Sequence, residues 1–140
     1  MTLKELIEQG SYPADDLNCA ETILSGANQV YNLGLSRDCL RLAAAFGGGM
    51  GTENICGVLT ASLMVLGCLF VPERAHKSPE IKEISKELFD LYTKKLGDFI
   101  CKPLKDKYRT EEKKCYEVVL MGAEILDNII SEEMRKRVKQ

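Results

Sequence analysis

The sequence lacks the residues that several common kinds of site require. Its only histidine, His76, lies close to Arg74 and Lys77 and is expected in an exposed loop, so no histidine-based triad or metal site is predicted. The 19 basic residues do not outnumber the 21 acidic ones, and the formal net charge is −2. Such a chain has no positive surplus with which to bind a run of phosphates or an anionic lipid surface. Neither nucleic acid nor a membrane is therefore expected as a partner.

The N-terminal residues mix charged and apolar side chains without a continuous hydrophobic stretch, so they do not form a secretory signal. We therefore expect a cytoplasmic protein. No internal repeat, proline-rich linker or low-complexity tract divides the chain. Its 140 residues, 45% of them hydrophobic, predict a single domain over residues 1–140. A domain of this length needs neither disulfides nor a metal for stability.

The most apolar stretch, residues 55–71, contains no charged residue. It is at the lower limit of length for crossing a bilayer, but it includes Thr60 and Ser62 and has no aromatic belt. We predict that it forms a central buried helix. From residue 73 to residue 114, by contrast, half of the positions are charged, which is typical of surface helices.

Helical spacing dominates the rest of the chain, and no segment shows the sustained alternation of a strand. The predicted fold is therefore an all-α, single-domain bundle of about five to seven helices around the helix at 55–71. Helices are expected to start at Leu3, Ser36, Pro79 and Thr110. A further helix is expected to start at one of Asp15, Asp16 and Asn18, and another at Glu53 or Asn54. A last short piece is expected over residues 129–138. The expected helix ends include Pro13, Phe46, Pro72 and Phe99.

Four of the six cysteines are candidates for one shared site. No two cysteines are separated by two residues, which excludes the sequence motifs of zinc ribbons, ferredoxins and thioredoxins, so folding must build any such site. Cys19 and Cys56 are predicted near helix starts, where free N–H groups and the helix dipole stabilise a thiolate. Cys101 is predicted in a loop and Cys115 about one turn inside a helix, and both can converge with the first two.

The remaining two cysteines are interpreted differently. Cys68 lies deep in the apolar helix, without a polar neighbour in sequence, and is expected to fill the core. Cys39 lies near a helix start, among the packing residues Leu40, Ala43 and Ala44, and its role stays open.

Four glycines occur within five positions shortly before Cys56, in the sequence Phe46-Gly-Gly-Gly-Met-Gly51. Glycine permits positive φ and close backbone approach, so successive N–H groups can point at an anion or at the sulfur ligands of a cluster. The other interpretation is a tight interhelical turn. No Gly-Lys-Ser/Thr follows, so the segment is not a nucleotide P-loop. The candidate cofactor-binding residues are Gly47, Gly48, Gly49, Gly51 and Gly57.

The four cysteines, together with the glycine run and Cys56-Gly57, resemble the redox-active family named for its pattern C_GCAxxG_C_C. Members carry Cys-Gly-Ala-x-x-Gly where this chain has Cys56-Gly57-Val58-Leu59-Thr60-Ala61. Related domains occur beside cytochromes and iron–sulfur proteins. The resemblance therefore implies a redox function without naming a reaction.

Three hypotheses follow for the site. The leading one is a small redox protein in which Cys19, Cys56, Cys101 and Cys115 bind an iron–sulfur cluster and exchange electrons with a partner protein. The first alternative is thiol–disulfide chemistry, in which a low-pKa Cys19 or Cys56 attacks and Cys101 or Cys115 resolves. The second is a structural or interaction module, with zinc on the same four thiols or with no metal. A homodimer is expected from the size of the bundle.

Overall fold

Seven α-helices make up most of the chain that this computed structural model describes, residues 1–12 and 16–139. Turns of 3-10 helix cover Arg41–Phe46 and Ala75–Lys77, and the described ranges contain no strand. The predicted all-α, single-domain bundle is thereby confirmed. The helices are α1 (Leu3–Leu6), α2 (Cys19–Tyr31), α3 (Arg37–Leu40), α4 (Gly57–Phe70), α5 (Glu80–Leu96), α6 (Cys101–Tyr108) and α7 (Tyr116–Val138).

Helix α4 is the centre of the bundle and packs against α2, α5 and α7. Its Leu59, Val65 and Leu66 are completely buried, as predicted for the central helix. The helix begins at Gly57 and not earlier, because Ile55 pairs with Ile100 in an isolated antiparallel bridge. Within the described ranges, no helix combines the length and the hydropathy that crossing a membrane would take.

Val58, which stands where the C_GCAxxG_C_C pattern has alanine, packs against Gly122 of α7. A side chain at position 122 would collide with Val58 and would bring a Cβ within 3.2 Å of the Tyr92 ring. The missing side chain at position 122 therefore makes room for the larger one at position 58. This exchange keeps α4 and α7 in close contact.

Two helices begin at the predicted caps. Asn18 caps α2, since its side-chain oxygen accepts a hydrogen bond from the Glu21 N–H at 2.9 Å while the Glu21 carboxylate accepts one from the Asn18 N–H at 3.0 Å. Ser36 caps α3 by a single hydrogen bond, which its hydroxyl oxygen accepts from the Cys39 N–H at 3.2 Å. The candidate cap Asp15 and the predicted helix end at Pro13 lie outside the described residues.

Other predicted boundaries are wrong, chiefly near Cys101 and Cys115. Cys101, predicted in a loop, is the first residue of α6. Helix α7 begins at Tyr116 and not at Thr110, because Thr110 and Lys114 exchange backbone hydrogen bonds in a tight turn in which Lys114 has a φ of 53°. The predicted last piece over residues 129–138 is the C-terminal part of α7, and α5 ends at Leu96, before Phe99.

A buried carboxylate fastens the N-terminus of the chain to α7. Asp127 is 7% exposed and accepts hydrogen bonds from the backbone N–H groups of Leu3, at 3.0 Å, and Lys4, at 2.9 Å. The Tyr31 hydroxyl of α2 donates a further hydrogen bond to it. A helix as short as α1 does not form by itself in water, so its position depends on contacts of this kind.

Asp127→Ala is expected to lower the free energy of unfolding by about 2–3 kcal/mol, because it leaves two amide donors and a phenol without a buried acceptor. Tyr31→Phe keeps the carboxylate and removes one donor, so it should cost about 1 kcal/mol. Urea unfolding followed by circular dichroism measures both values. Equal losses in the two variants would contradict the role given to the carboxylate.

Candidate functional site

Four helices begin at one cavity, and a cysteine lies at the start of each. Cys19 and Cys101 are the first residues of α2 and α6, and Cys56 and Cys115 directly precede α4 and α7. All four line a cavity of about 250 Å³. Cys56 and Cys101 are buried, whereas Cys19 and Cys115 are half-buried. The cavity wall also includes Tyr12, Gly48, Gly57, Lys105, Arg109 and Lys114.

A short backbone pairing holds two of these helix starts together. On either side of the bridge between Ile55 and Ile100, the Cys56 N–H donates to the carbonyl of Phe99 at 2.8 Å. The Cys101 N–H donates in the same way to the carbonyl of Asn54 at 2.6 Å. Since α4 and α6 begin directly after the paired segments, Cys56 and Cys101 reach the cavity from one connected unit.

Three glycines lie so close to the residues of the site that a side chain at any of them would collide with a neighbour. A Cβ at Gly57 would lie 2.8 Å from the Cys19 sulfur, and one at Gly49 would lie 2.7 Å from the Cys101 Cβ. A Cβ at Gly47 would collide with the side chain of Asn18, the cap of α2. The glycines are therefore required by close packing against the segments that carry Cys19 and Cys101.

The glycine loop, residues 47–51, contains four consecutive residues in the left-handed region, with φ between 60° and 70° from Gly48 to Gly51. Met50 is the one of the four that is not glycine. Residues with a Cβ avoid this region, which explains why the segment is so rich in glycine. Of the five glycines proposed from sequence, Gly48 and Gly57 line the cavity, whereas Gly47 and Gly49 pack behind it and Gly51 shapes the turn.

Burial lowers the acidity of the Cys19, Cys56 and Cys101 thiols. It raises the pKa of Cys19 and Cys101, and it raises the pKa of Cys56 to about 11. Hydrogen bonds from backbone N–H groups act in the opposite direction, for example from Gly48 to the Cys19 sulfur, but desolvation is the larger effect. The expectation that a helix start gives Cys19 and Cys56 a low pKa is therefore wrong for the metal-free protein.

Two side chains that the sequence did not single out contact sulfur atoms of the site. The hydroxyl of Tyr92, a completely buried residue of α5, lies 3.2 Å from the Cys56 sulfur. Arg109 Nη1 lies 3.5 Å from the Cys115 sulfur. Tyr92 has the helical spacing of the buried apolar residues of α5, and no sequence signal points to a role for its hydroxyl.

The other sequence candidates lie elsewhere. Cys39 and Cys68 are exposed and do not line the cavity, so the prediction that Cys68 fills the core is wrong. His76 is exposed, as expected. Among the described residues, no three His, Cys, Asp or Glu side chains lie close enough together to hold a single metal ion.

Two glycines of α4 provide a matched test of the packing. Gly57→Ala should push the start of α4 away from the Cys19 sulfur of α2 and from the Phe46 carbonyl, and it should cost about 1–3 kcal/mol of unfolding free energy because the new methyl group overlaps both. Gly67→Ala has open space around the new methyl group and should stabilise the helix by about 0.5–1 kcal/mol. Chemical unfolding of both variants checks this. Similar effects at the two positions would contradict the close contact at Gly57.

The raised pKa of Cys56 predicts how the metal-free protein reacts with iodoacetamide. A thiol with a pKa of about 11 has roughly 100-fold less thiolate below pH 9 than one with a pKa of about 9. Peptide mass spectrometry should therefore find the exposed Cys39 and Cys68 modified first at pH 8, and the rate at Cys56 should rise steeply towards pH 11. The urea-unfolded chain is the control, in which all six should react together. Early modification of Cys56 in the folded chain would contradict the raised pKa.

Comparison with known proteins relates the chain to one protein family. The sequence model of the family described as "Putative redox-active protein (C_GCAxxG_C_C)" matches residues 17–129, a range that holds all four cavity cysteines and the glycine loop. No curated protein and no solved structure matches the chain. Because the match covers well over half of its length, the chain belongs to the C_GCAxxG_C_C family.

Proposed function

We propose that Cys19, Cys56, Cys101 and Cys115 bind an iron–sulfur cluster in the cavity and that the protein transfers single electrons. The observation that carries this proposal is that four helices, each with a cysteine at its start, meet at one cavity. Four thiolates satisfy the ligand count of a [2Fe–2S] or [4Fe–4S] cluster. The family's description as redox-active supports the same class of function.

The surroundings of the four thiols suit an anionic group. Each helix N-terminus contributes unpaired N–H groups and a partial positive charge. Lys105, Arg109 and Lys114 add three cationic side chains to the cavity wall. Buried thiols with a raised pKa lose their protons when a metal ion replaces them, so burial of this kind is compatible with ligand cysteines.

A bound cluster would supply one-electron chemistry, and the chain's own residues would set its conditions. The Gly48 N–H and the Tyr92 hydroxyl reach the sulfurs of Cys19 and Cys56. Hydrogen bonds of this kind to sulfur stabilise added negative charge and so favour the reduced state. Cys115 is only half-buried and lies beside Arg109, so we assign the route for electrons from a partner protein to this side of the cavity.

The contact between Arg109 and the half-buried Cys115 sulfur favours thiol–disulfide exchange as the second candidate function, because it places a cation beside a thiol that a substrate can reach. In that reaction the Cys115 thiolate would attack one sulfur of a disulfide substrate, form a mixed disulfide and release the other sulfur as a thiolate. A second cavity thiol, once deprotonated, would then attack Cys115. This step would form an intramolecular disulfide and release the reduced substrate.

The test is to compare Cys56→Ser with Cys68→Ser after anaerobic purification and cluster reconstitution. Both substitutions replace a thiol by a hydroxyl, but only the first removes a proposed ligand. We expect Cys56→Ser to lose most of its iron, its acid-labile sulfide and its visible absorption. Cys68→Ser should keep all three, and its unfolding free energy should change by less than about 0.5 kcal/mol, since the side chain is exposed.

Circular dichroism verifies that both variants keep the helical fold. Wild-type protein that binds neither iron nor sulfide after reconstitution would overturn the cluster proposal. Equal cluster loss in the two variants would also overturn the assignment of the ligands. If colourless wild-type protein instead forms a disulfide at Cys115 after mild oxidation, the second candidate function is favoured.

A further inference from the structure

The side chain of Tyr12 separates the cysteine cavity from a second space at the surface, which here is called the outer groove. The outer groove is lined by Tyr12, Glu112, Lys113 and Tyr116. Among the described residues that line these two spaces, Tyr12 alone borders both. It is 8% exposed, so its ring lies between the two spaces and does not extend freely into solvent.

The Tyr12 hydroxyl contacts one of the two half-buried cysteines of the site. Its oxygen accepts a hydrogen bond from the Cys115 N–H at 3.4 Å. Arg109 Nη1 lies 3.5 Å from the sulfur of the same cysteine. Cys115 is therefore held at its backbone by a phenol and at its sulfur by a cation.

The Tyr12 ring is uncharged where it borders the thiols. Burial is the main reason that the pKa of Tyr12 is raised, and the nearby sulfurs of Cys115 and Cys19 act in the same direction. The phenol therefore keeps its proton at neutral pH. The ring thus lies beside the two cavity cysteines that are only half-buried.

The chain before Tyr12 is fastened to the bundle, which keeps the ring in place. Leu3 is completely buried and takes up the room that Gly26 of α2 leaves, where a Cβ would lie 2.6 Å from the Leu3 Cδ1. The Leu3 N–H donates a hydrogen bond to Asp127 of α7. The chain then turns at Gly10, whose φ of 100° lies in the left-handed region. The position of Tyr12 therefore depends on a buried attachment and on this turn.

Removal of the Tyr12 ring would join the cavity and the outer groove into one open space beside Cys115. A small reactant can reach this half-buried thiol while the ring is present. A bulky reactant needs the room that the ring occupies. A clash of this kind gives selectivity, because it weakens the approach of one reactant without improving that of the other.

We propose that Tyr12 determines which reactants reach Cys115, because its ring admits small molecules to the thiol and excludes bulky ones. The inference rests on the proposed function only in taking Cys115 as the thiol that a reactant approaches. The ring separates the two spaces in the metal-free chain, so the inference can be tested without a cluster.

Alkylation of the metal-free protein with two maleimides of different size tests the proposal. N-ethylmaleimide is small, whereas fluorescein-5-maleimide carries a bulky dye next to the same reactive group. Peptide mass spectrometry measures both rates at Cys115 and divides each by the rate at Cys39, an exposed thiol of the same chain. On this scale we expect the bulky reagent to be at least about 10-fold slower than the small one in wild-type protein.

Tyr12→Ala should reduce this size ratio to less than about 3-fold, because it joins the two spaces. Tyr12→Phe is the matched control, since it keeps the ring and loses only the hydroxyl, and it should keep the wild-type ratio. The buried Cys56 reports on general loosening of the fold and should stay unreactive in both variants. An unchanged ratio in Tyr12→Ala, an equal loss in both variants, or no size discrimination in wild-type protein would overturn the proposal.

If Tyr12→Ala is unfolded by circular dichroism, or if its Cys56 becomes reactive, Gly10→Ala decides the result. It keeps the Tyr12 side chain but strains the turn that places it, because residues with a Cβ avoid positive φ. Gly34→Ala is the matched control, since Gly34 also has a positive φ, of 72°, and open space for a methyl group, and does not line the cavity.

Gly10→Ala should lower the size ratio at Cys115 at least about 2-fold, and Gly34→Ala should leave it unchanged. Equal ratios in these two variants would overturn the proposal. Because no step of the experiment uses iron, a chain that fails to bind a cluster would overturn the proposed function without changing this result.

Discussion

Four helices begin at one cavity, and the local structure around the site follows from bringing their N-termini together. Each N-terminus brings a partial positive charge and N–H groups that have no acceptor within their own helix, so four of them are unfavourable together unless other acceptors or anions lie near them. The sulfurs of Cys19, Cys56, Cys101 and Cys115 occupy that position. The proposed cluster would add the negative charge that the helix starts, Arg109 and Lys105 would stabilise.

The local structure around the cavity follows from holding these helix starts close together. The pairing of residues 54–56 with residues 99–101 fixes two of them, and the glycines let the other segments approach without collision. The left-handed turn at 48–51 brings the Gly48 N–H to the Cys19 sulfur. Packing and chemistry thus constrain the same residues, since a methyl group at Gly57 would crowd both a helix start and a sulfur.

The fold class and the four cysteines of the cavity could be predicted from sequence, because helical spacing and the positions of cysteine and glycine are local signals. The start of α6 at Cys101 was missed, although Pro103 in its first turn is a residue that helix starts tolerate. The raised pKa of Cys56 and the exposure of Cys68 could not be predicted. Both depend on which sides of an apolar helix are covered by the rest of the chain, and periodicity does not contain that information. The contact of Tyr92 with Cys56 could not be predicted for the same reason.

If the four cysteines bind one shared cluster, its iron atoms lie inside the cavity. Diffraction from crystals grown without oxygen, measured at X-ray energies on both sides of the iron absorption edge, locates those atoms. The proposal predicts anomalous density for iron inside the cavity, within bonding distance of the sulfurs of Cys19, Cys56, Cys101 and Cys115. Iron located elsewhere, or a disulfide between any two of these cysteines in the protein that contains iron, would contradict it.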